Sequence, residues 1–170
     1  TNAAVRLLKH SDGNVYAFCN QSIFKCSMDQ TVEPILPDTV ISSPAHSVAQ
    51  APDEDIYIGT ESSGLYIYSG NWKLKQHIPV DGTITAILPD EGGNIWLGLD
   101  EAGICLFNKE RQTFTWLHKD NTCLSNNSIR TLVPYSDSSI LIGTFRGLNI
   151  LDKKSSPSLR QISISPGKED

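Results

Sequence analysis

Residues 84–117, ITAILPDEGGNIWLGLDEAGICLFNKERQTFTWL, carry the plan that the rest of the chain repeats. An apolar-rich run, residues 84–88, turns through Pro89-Asp90-Glu91-Gly92-Gly93-Asn94 and resumes as Ile95-Trp96-Leu97-Gly98. Pro presets φ and Gly and Asn supply positive φ, so two short strands joined by a turn are expected. Past Leu99-Asp100-Glu101-Ala102 the chain enters a third apolar run at Gly103, Ile104-Cys105-Leu106-Phe107. The polar residues 108–112 then lead to a fourth, 113–117. Four short strands in series predict an antiparallel meander.

The same plan recurs three more times. Unit one is expected over residues 5–36, unit two over 47–79 after a linker at 37–44, unit three over 84–118 and unit four over 129–164. Tyr16, Tyr57, Trp96 and Leu141 are equivalent, giving spacings of 41, 39 and 45 residues (57−16, 96−57, 141−96). That period fits a four-stranded propeller blade. The second strands read IYIG, IWLG and ILIG, nearly continuous apolar runs instead of alternation, as expected where both faces of a sheet are covered. Trp96 and its equivalents are therefore expected between blades. Gly59, Gly98 and Gly143 close these strands where a side chain would strike the adjacent blade or need unusual dihedrals, and Gly64, Gly103 and Gly147 open the third strands. The fold class is all-β: a propeller of four blades, expected to be part of a larger ring.

Composition excludes several classes. At 170 residues, 39% hydrophobic and 19% charged, the chain holds enough apolar material for one core. A net charge of −5 with scattered lysines and arginines argues against nucleic-acid binding. No apolar run approaches the roughly 20 residues of a membrane helix, and no signal-peptide plan opens the sequence; any export or anchoring parts are expected to lie outside it. Cys19 and Cys26 fall on neighbouring strands about three positions out of register. At ~3.4 Å per residue that is about 10 Å, too far for a disulfide; a bond between Cys105 in a strand and Cys123 in a loop is open but unsupported, and free, mostly buried thiols are expected.

The units, of the form apolar strand, D-x-x-G-N, I-W-L-G, G-L/I, F-N, resemble the two-component regulator propeller repeat. So do residues 108–132, NKERQTFTWLHKDNTCLSNNSIRTL, and the later ILIGTFRGLNILD. The resemblance covers residues 5–164 and is strongest over 84–152. It departs in unit one, where Phe18-Cys19 replaces Gly-Thr, and in unit four, where Ser138-Ser139-Ile140-Leu141 lacks the Gly-Asn and Trp. It implies the extracytoplasmic, periplasmic sensor region of a Bacteroides-type hybrid two-component histidine kinase that detects glycans. An oligosaccharide is the implied partner; a membrane helix, kinase, receivers and DNA-binding output are the implied remainder, acting by phosphorelay.

No catalytic constellation is expected. His10, His46, His77 and His118 occupy different places in their repeats, lack metal-ligand spacing and read as surface or loop histidines. Asp90-Glu91 and Asp53-Glu54-Asp55 read as exposed turn formers. No cofactor or metal is implied, and no G-x-S-x-G or P-loop is present. Three functions stay open: a non-catalytic sensor segment, a propeller enzyme resembling streptogramin lyases, and a protein-interaction scaffold. The fourth-to-first and second-to-third strand connections are expected to share one face, which would carry Glu61, Ser62, Asp100, Glu101, Lys119 and Asp120. There Asn126, Asn127, Phe145 and Arg146 are the expected sugar contacts: amides and a guanidinium beside an aromatic. An open arc also exposes the faces of its end blades, so self-association, most simply as a homodimer, is expected, its rival being a compact monomer whose four blades close on themselves.

Overall fold

The runs of apolar residues separated by Gly, Asp and Asn turns form sixteen strands in the computed structural model, which describes residues 5–37, 40–153 and 157–162. The first sheet comprises β1 (Val5–Lys9), β2 (Val15–Cys19), β3 (Ser22–Cys26) and β4 (Val32–Ile35). The second comprises β5 (Ala45–Gln50), β6 (Ile56–Thr60), β7 (Leu65–Tyr68) and β8 (Leu74–Ile78). The third is β9 (Ile84–Pro89), β10 (Asn94–Leu99), β11 (Gly103–Asn108) and β12 (Thr113–Leu117). The fourth is β13 (Ile129–Ser136), β14 (Ser139–Thr144), β15 (Gly147–Asp152) and β16 (Ser158–Ile162). In every sheet strand order follows the chain and each neighbour is antiparallel, the geometry of propeller blades.

Alternate residues of the second strands point to opposite neighbours, which is how one apolar run fills two seams. In β10, Ile95, Leu97 and Leu99 join the core shared with the second blade, together with Tyr57 and Leu65, while Trp96 joins the core shared with the fourth, with Ile129, Ile140 and Ile142. Tyr16 and Tyr57 make the same forward contact from the first and second blades. Three clusters thus tie four blades in series, and among the described residues none joins the fourth to the first. Gly103 needs its glycine twice over: φ is +80°, and a Cβ would sit 2.4 Å from the Leu117 carbonyl oxygen.

Several expectations shift. The first strand of the second blade begins at Ala45, directly after the expected linker and ahead of the expected start at 47, and the turn of the fourth blade is only Asp137-Ser138, because β13 runs on through Tyr135 and Ser136. Trp72, expected to open the fourth strand of the second unit over 72–78, instead sits in the turn before β8 at φ 64° and folds inward against Tyr16, Phe18 and Tyr68. The four cysteines are free, with Cys26 paired opposite Val15. Residues 1–4, 38 and 39 of the linker, and 163 and 164 of the expected last strand lie outside the described residues.

Candidate functional site

Three innermost strands begin with an apolar residue that packs between blades, followed by a residue of a different kind: Ala45-His46, Ile84-Thr85 and Ile129-Arg130; β1 opens with Val5-Arg6, its Val5 exposed. In β5, β9 and β13 the ladder skips this second residue, pairing Ala45 and Ser47, Ile84 and Ala86, and Ile129 and Thr131 with successive partners. A residue left out of the ladder is re-aimed. Here it leaves the seam, and His46, Thr85 and Arg130, together with Arg6, which stays paired opposite Phe18, line one small cleft of about 270 Å³ between the four innermost strands. Arg6 Nε donates to the His46 carbonyl at 2.5 Å and Thr85 Oγ1 to that of Ile129 at 2.7 Å, so this column also ties neighbouring strands. Burial, then the Arg6 charge, holds the His46 imidazole below its ordinary range against Glu61 and Asp100, which favours the neutral ring.

The rim of this cleft is built by the loops. One backbone bond recurs: the amides of Glu61, Asp100 and Phe145 donate to the carbonyls of Pro44, Thr83 and Ser128, the residue before each innermost strand. Further bonds cross between blades, from Ala45 N to Asn20 O and from Gly103 N to Asn127 O. The second-to-third loops and the fourth-to-first connections therefore share one face. Arg130 bridges onto this rim, its guanidinium 5.4 Å from the Phe145 ring centroid and 3.6 Å from Asp100 Oδ1. The rim is a fixed surface of mixed charge with one exposed aromatic ring.

Of the residues expected to touch sugar, Phe145 and Arg146 form the tip of the β14–β15 hairpin, both exposed. Asn126 and Asn127 lie half-buried before β13. Their side-chain oxygens are committed to the loop: Asn126 Oδ1 accepts from Ser128 N at 2.8 Å and Asn127 Oδ1 from Lys119 N at 2.7 Å. Arg6, His46, Thr85 and Arg130 escaped sequence reasoning. Laying the four units over each other at the first residue of the innermost strand would have revealed them as a column.

Two histidine and carboxylate expectations are corrected. His10 is buried, not on the surface, with Nδ1 accepting from Asp12 N and its ring edge-on to Tyr16, because its strand ends under the turn. Asp55 is not an exposed turn former: its carboxylate is 2% exposed and held by Lys75 Nζ at 2.5 Å and Lys109 Nζ at 2.8 Å. Lys109 also reaches Asp53 and the Tyr57 hydroxyl, so this is a clasp between the second and third blades. No group of three or more His, Cys, Asp or Glu suited to a metal occurs among the described residues.

A larger cleft, about 740 Å³, opens at the opposite end of the strands along the seam of the third and fourth blades, lined by Leu88, Asp90, Tyr135 and Lys153. The preceding seam has its counterpart of about 140 Å³, lined by Tyr57, Pro89 and Lys109. Lys153 holds the place in the fourth blade that Lys109 holds in the third, following Asp152 as Lys109 follows Asn108. The large cleft is thus the same seam with a wider mouth. The rim over the four innermost strands, where all blades contribute, is the candidate site.

Comparison with solved structures places the fold. The extracellular domain of the hybrid two-component system BT4673 from B. thetaiotaomicron superposes with a TM-score of 0.78 at 19% identity, over 100% of this chain and 23% of that one. The extracellular domain of the hybrid two-component system BT3049 from B. thetaiotaomicron gives 0.75 at 17%, over 96% and 25%. Virginiamycin B lyase from Staphylococcus aureus gives 0.74 at 16%, over 97% of this chain and 57% of that one. The chain spans about a quarter of the length of the two-component relatives it matches. No family model matches, and no curated protein sequence matches. At these identities the likeness establishes the propeller fold.

Proposed function

We propose that this chain is a non-catalytic, extracytoplasmic ligand-sensing segment of a hybrid two-component receptor, and that its ligand is an oligosaccharide. The observation that carries the reading is the rim: loops from different blades fixed to one another by backbone hydrogen bonds, with exposed Phe145 beside Arg130 and Arg146. Sugars are held by planar hydrogen-bonding groups next to an aromatic face, and preorganised loops lower the ordering cost of holding them. On this reading an extended chain lies across the rim, above the inner cleft of about 270 Å³. Two of the similar solved structures are described as extracellular domains of hybrid two-component systems, which supports the sensor role and its side of the membrane.

Isothermal titration against a panel of neutral and uronic oligosaccharides tests the reading. Replacing Asn126, Asn127, Phe145 and Arg146 together by alanine is expected to lower affinity at least tenfold for whichever oligosaccharide binds. Unchanged affinity removes these four residues from the site, and an absence of binding across the panel at millimolar sugar removes the glycan. The lyase-like alternative predicts turnover of virginiamycin B by the purified chain; turnover would replace the sensing reading.

A further inference from the structure

The cleft between the four innermost strands is a positive recess in an acidic chain. Arg6, His46, Thr85 and Arg130 line it on apolar walls that include Ile87 and Leu132, and no aspartate or glutamate lines it. The chain as a whole carries a net charge of −5, and its other clefts follow that balance. Asp90, Glu91 and Asp137 face one lysine in the 740 Å³ cleft, and Asp53, Asp90 and Glu91 face one lysine in the 140 Å³ cleft. Two guanidiniums among apolar walls, with no carboxylate beside them, concentrate positive potential where the rest of the surface is negative.

Neither guanidinium is used up inside the fold. Arg6 gives Nε to the His46 carbonyl and Nη1 to the Val5 carbonyl at 3.4 Å, and among the described residues no carboxylate pairs with it. Arg130 lies over the Phe145 ring and 3.6 Å from Asp100 Oδ1, longer than a hydrogen bond and half exposed, the kind of pair that contributes little. Stacking on Phe145 fixes the guanidinium plane and leaves its N–H edge to a ligand. His46 adds an imidazole whose Nδ1 is buried with no hydrogen-bond partner among the described residues. His46, Thr85 and Arg130 follow by two positions Pro44, Thr83 and Ser128, whose carbonyls anchor the rim loops, so the cleft lies directly beneath the rim.

We propose that the oligosaccharide on the rim is acidic, and that its acid group, the carboxylate of a uronic residue or a sulfate ester, enters the inner cleft and is held by Arg6 and Arg130. The inference rests on the oligosaccharide-sensing reading and narrows its ligand class. A carboxylate or sulfate presents paired oxygens that match the guanidinium fork and take two charge-assisted hydrogen bonds from it. Thr85 Oγ1 gives its proton to the Ile129 carbonyl, so it offers a ligand only lone pairs, which suit a sugar hydroxyl and not the acid group. The division of labour follows: the arginines take the acid, the threonine takes a neighbouring hydroxyl. At about 270 Å³ the cleft is several times the ~30 Å³ share of one water molecule, so an acid group enters it whole.

Isothermal titration of the whole chain with matched pairs of sugars tests the proposal. One arm compares trigalacturonate with its methyl ester, the other a sulfated galactotriose with galactotriose, so each pair differs in the acid group and the two arms tell uronate from sulfate. In one arm the acid form is expected to bind about tenfold more tightly than its uncharged partner, or better, the step of one charge-assisted hydrogen bond. The double variant Arg6→Met, Arg130→Met is expected to bring that ratio to within about twofold, and because the ratio is read on one protein, a general loss of affinity does not imitate the result. Arg6→Gln with Arg130→Gln serves as the same test should the methionine variant fail to fold. Equal affinity for charged and uncharged forms in both arms overturns the acidic ligand and leaves the oligosaccharide reading standing. A preference for the acid that survives the loss of both arginines overturns the assigned cleft. Binding of no sugar in either arm or in the neutral and uronic panel removes the oligosaccharide reading, and this inference with it.

Discussion

At the scale of single residues, the turn carboxylates do more than make turns. Asp90 Oδ1 accepts from the amides of Gly92 and Asn94 while Oδ2 accepts from Trp96 Nε1 at 3.1 Å, so the turn caps the polar edge of the ring that fills the seam. Asp12 does the same for the Tyr16 hydroxyl at 2.8 Å. Emptying the Trp96 site is expected to cost ~3–5 kcal/mol; a urea melt of Trp96→Ala within a few tenths of the parent would contradict its inter-blade place. For Asp12, burial opposes the charge, but the Asn14 amide and the Tyr16 hydroxyl bring its carboxyl down to about 2. The unfolded value is about 3.9, so the charged form favours the fold: the contribution is whole above about pH 5 and fades as pH falls through 4 toward 2. Asp12→Asn is therefore expected to lower stability at neutral pH and to flatten the acid limb of a stability–pH curve over that window. Phe18 occupies the place of Gly59 and Gly98, and the opposing residue is Ala45 where those glycines face Ile84 and Ile129; bulk is exchanged across the seam, and Phe18 ends fully buried.

At the scale of elements, the skipped residue on β5, β9 and β13 separates what the sequence shows from what it hides. Strands and turns were legible because their signals are local: apolar runs, Gly-Asn turns, a fixed period. The convergence of Arg6, His46, Thr85 and Arg130 was not, since it depends on bulges that no local signal marks and on residues about 40 positions apart meeting at the axis. The Lys109 clasp was hidden for a similar reason. It joins the β11–β12 turn to Asp53, Asp55 and Tyr57 of the previous blade, and Asp55 reads from sequence as one more turn acid. Lys109→Met keeps the aliphatic stem and removes the charge, leaving Asp55 with Lys75 alone and the Tyr57 hydroxyl without its lysine. Hydrogen bonds to charged groups are worth about 1.5–3 kcal/mol, and a loss in that range is expected in denaturant melts. Because Asp55 is buried, added salt should erode little of it; a substitution that is neutral at low salt would show that the clasp does not hold the seam.

At the scale of the whole molecule, four blades in series share three seams, so stability is distributed as in a linear repeat array: each blade is held by its own sheet and by its neighbours' faces. The middle blades are covered twice. Ile56 to Thr60 in β6 and Ile95 to Leu99 in β10 are buried along their whole length, whereas β2 and β14 alternate buried and half-buried residues because, among the described residues, one face of each lacks a neighbouring blade. Local opening follows such differences in buried apolar contact. Hydrogen exchange at low protein concentration is therefore expected to be slowest in β6, β7, β10 and β11 and faster in β2, β3, β14 and β15, although all eight are inner strands of their sheets with the same ladder bonds. The comparison isolates the seams from the sheets. If the end blades exchange as slowly as the middle ones in the monomer, the covered face is not what stabilises a blade, and the series of three cores is not the organising feature of this chain.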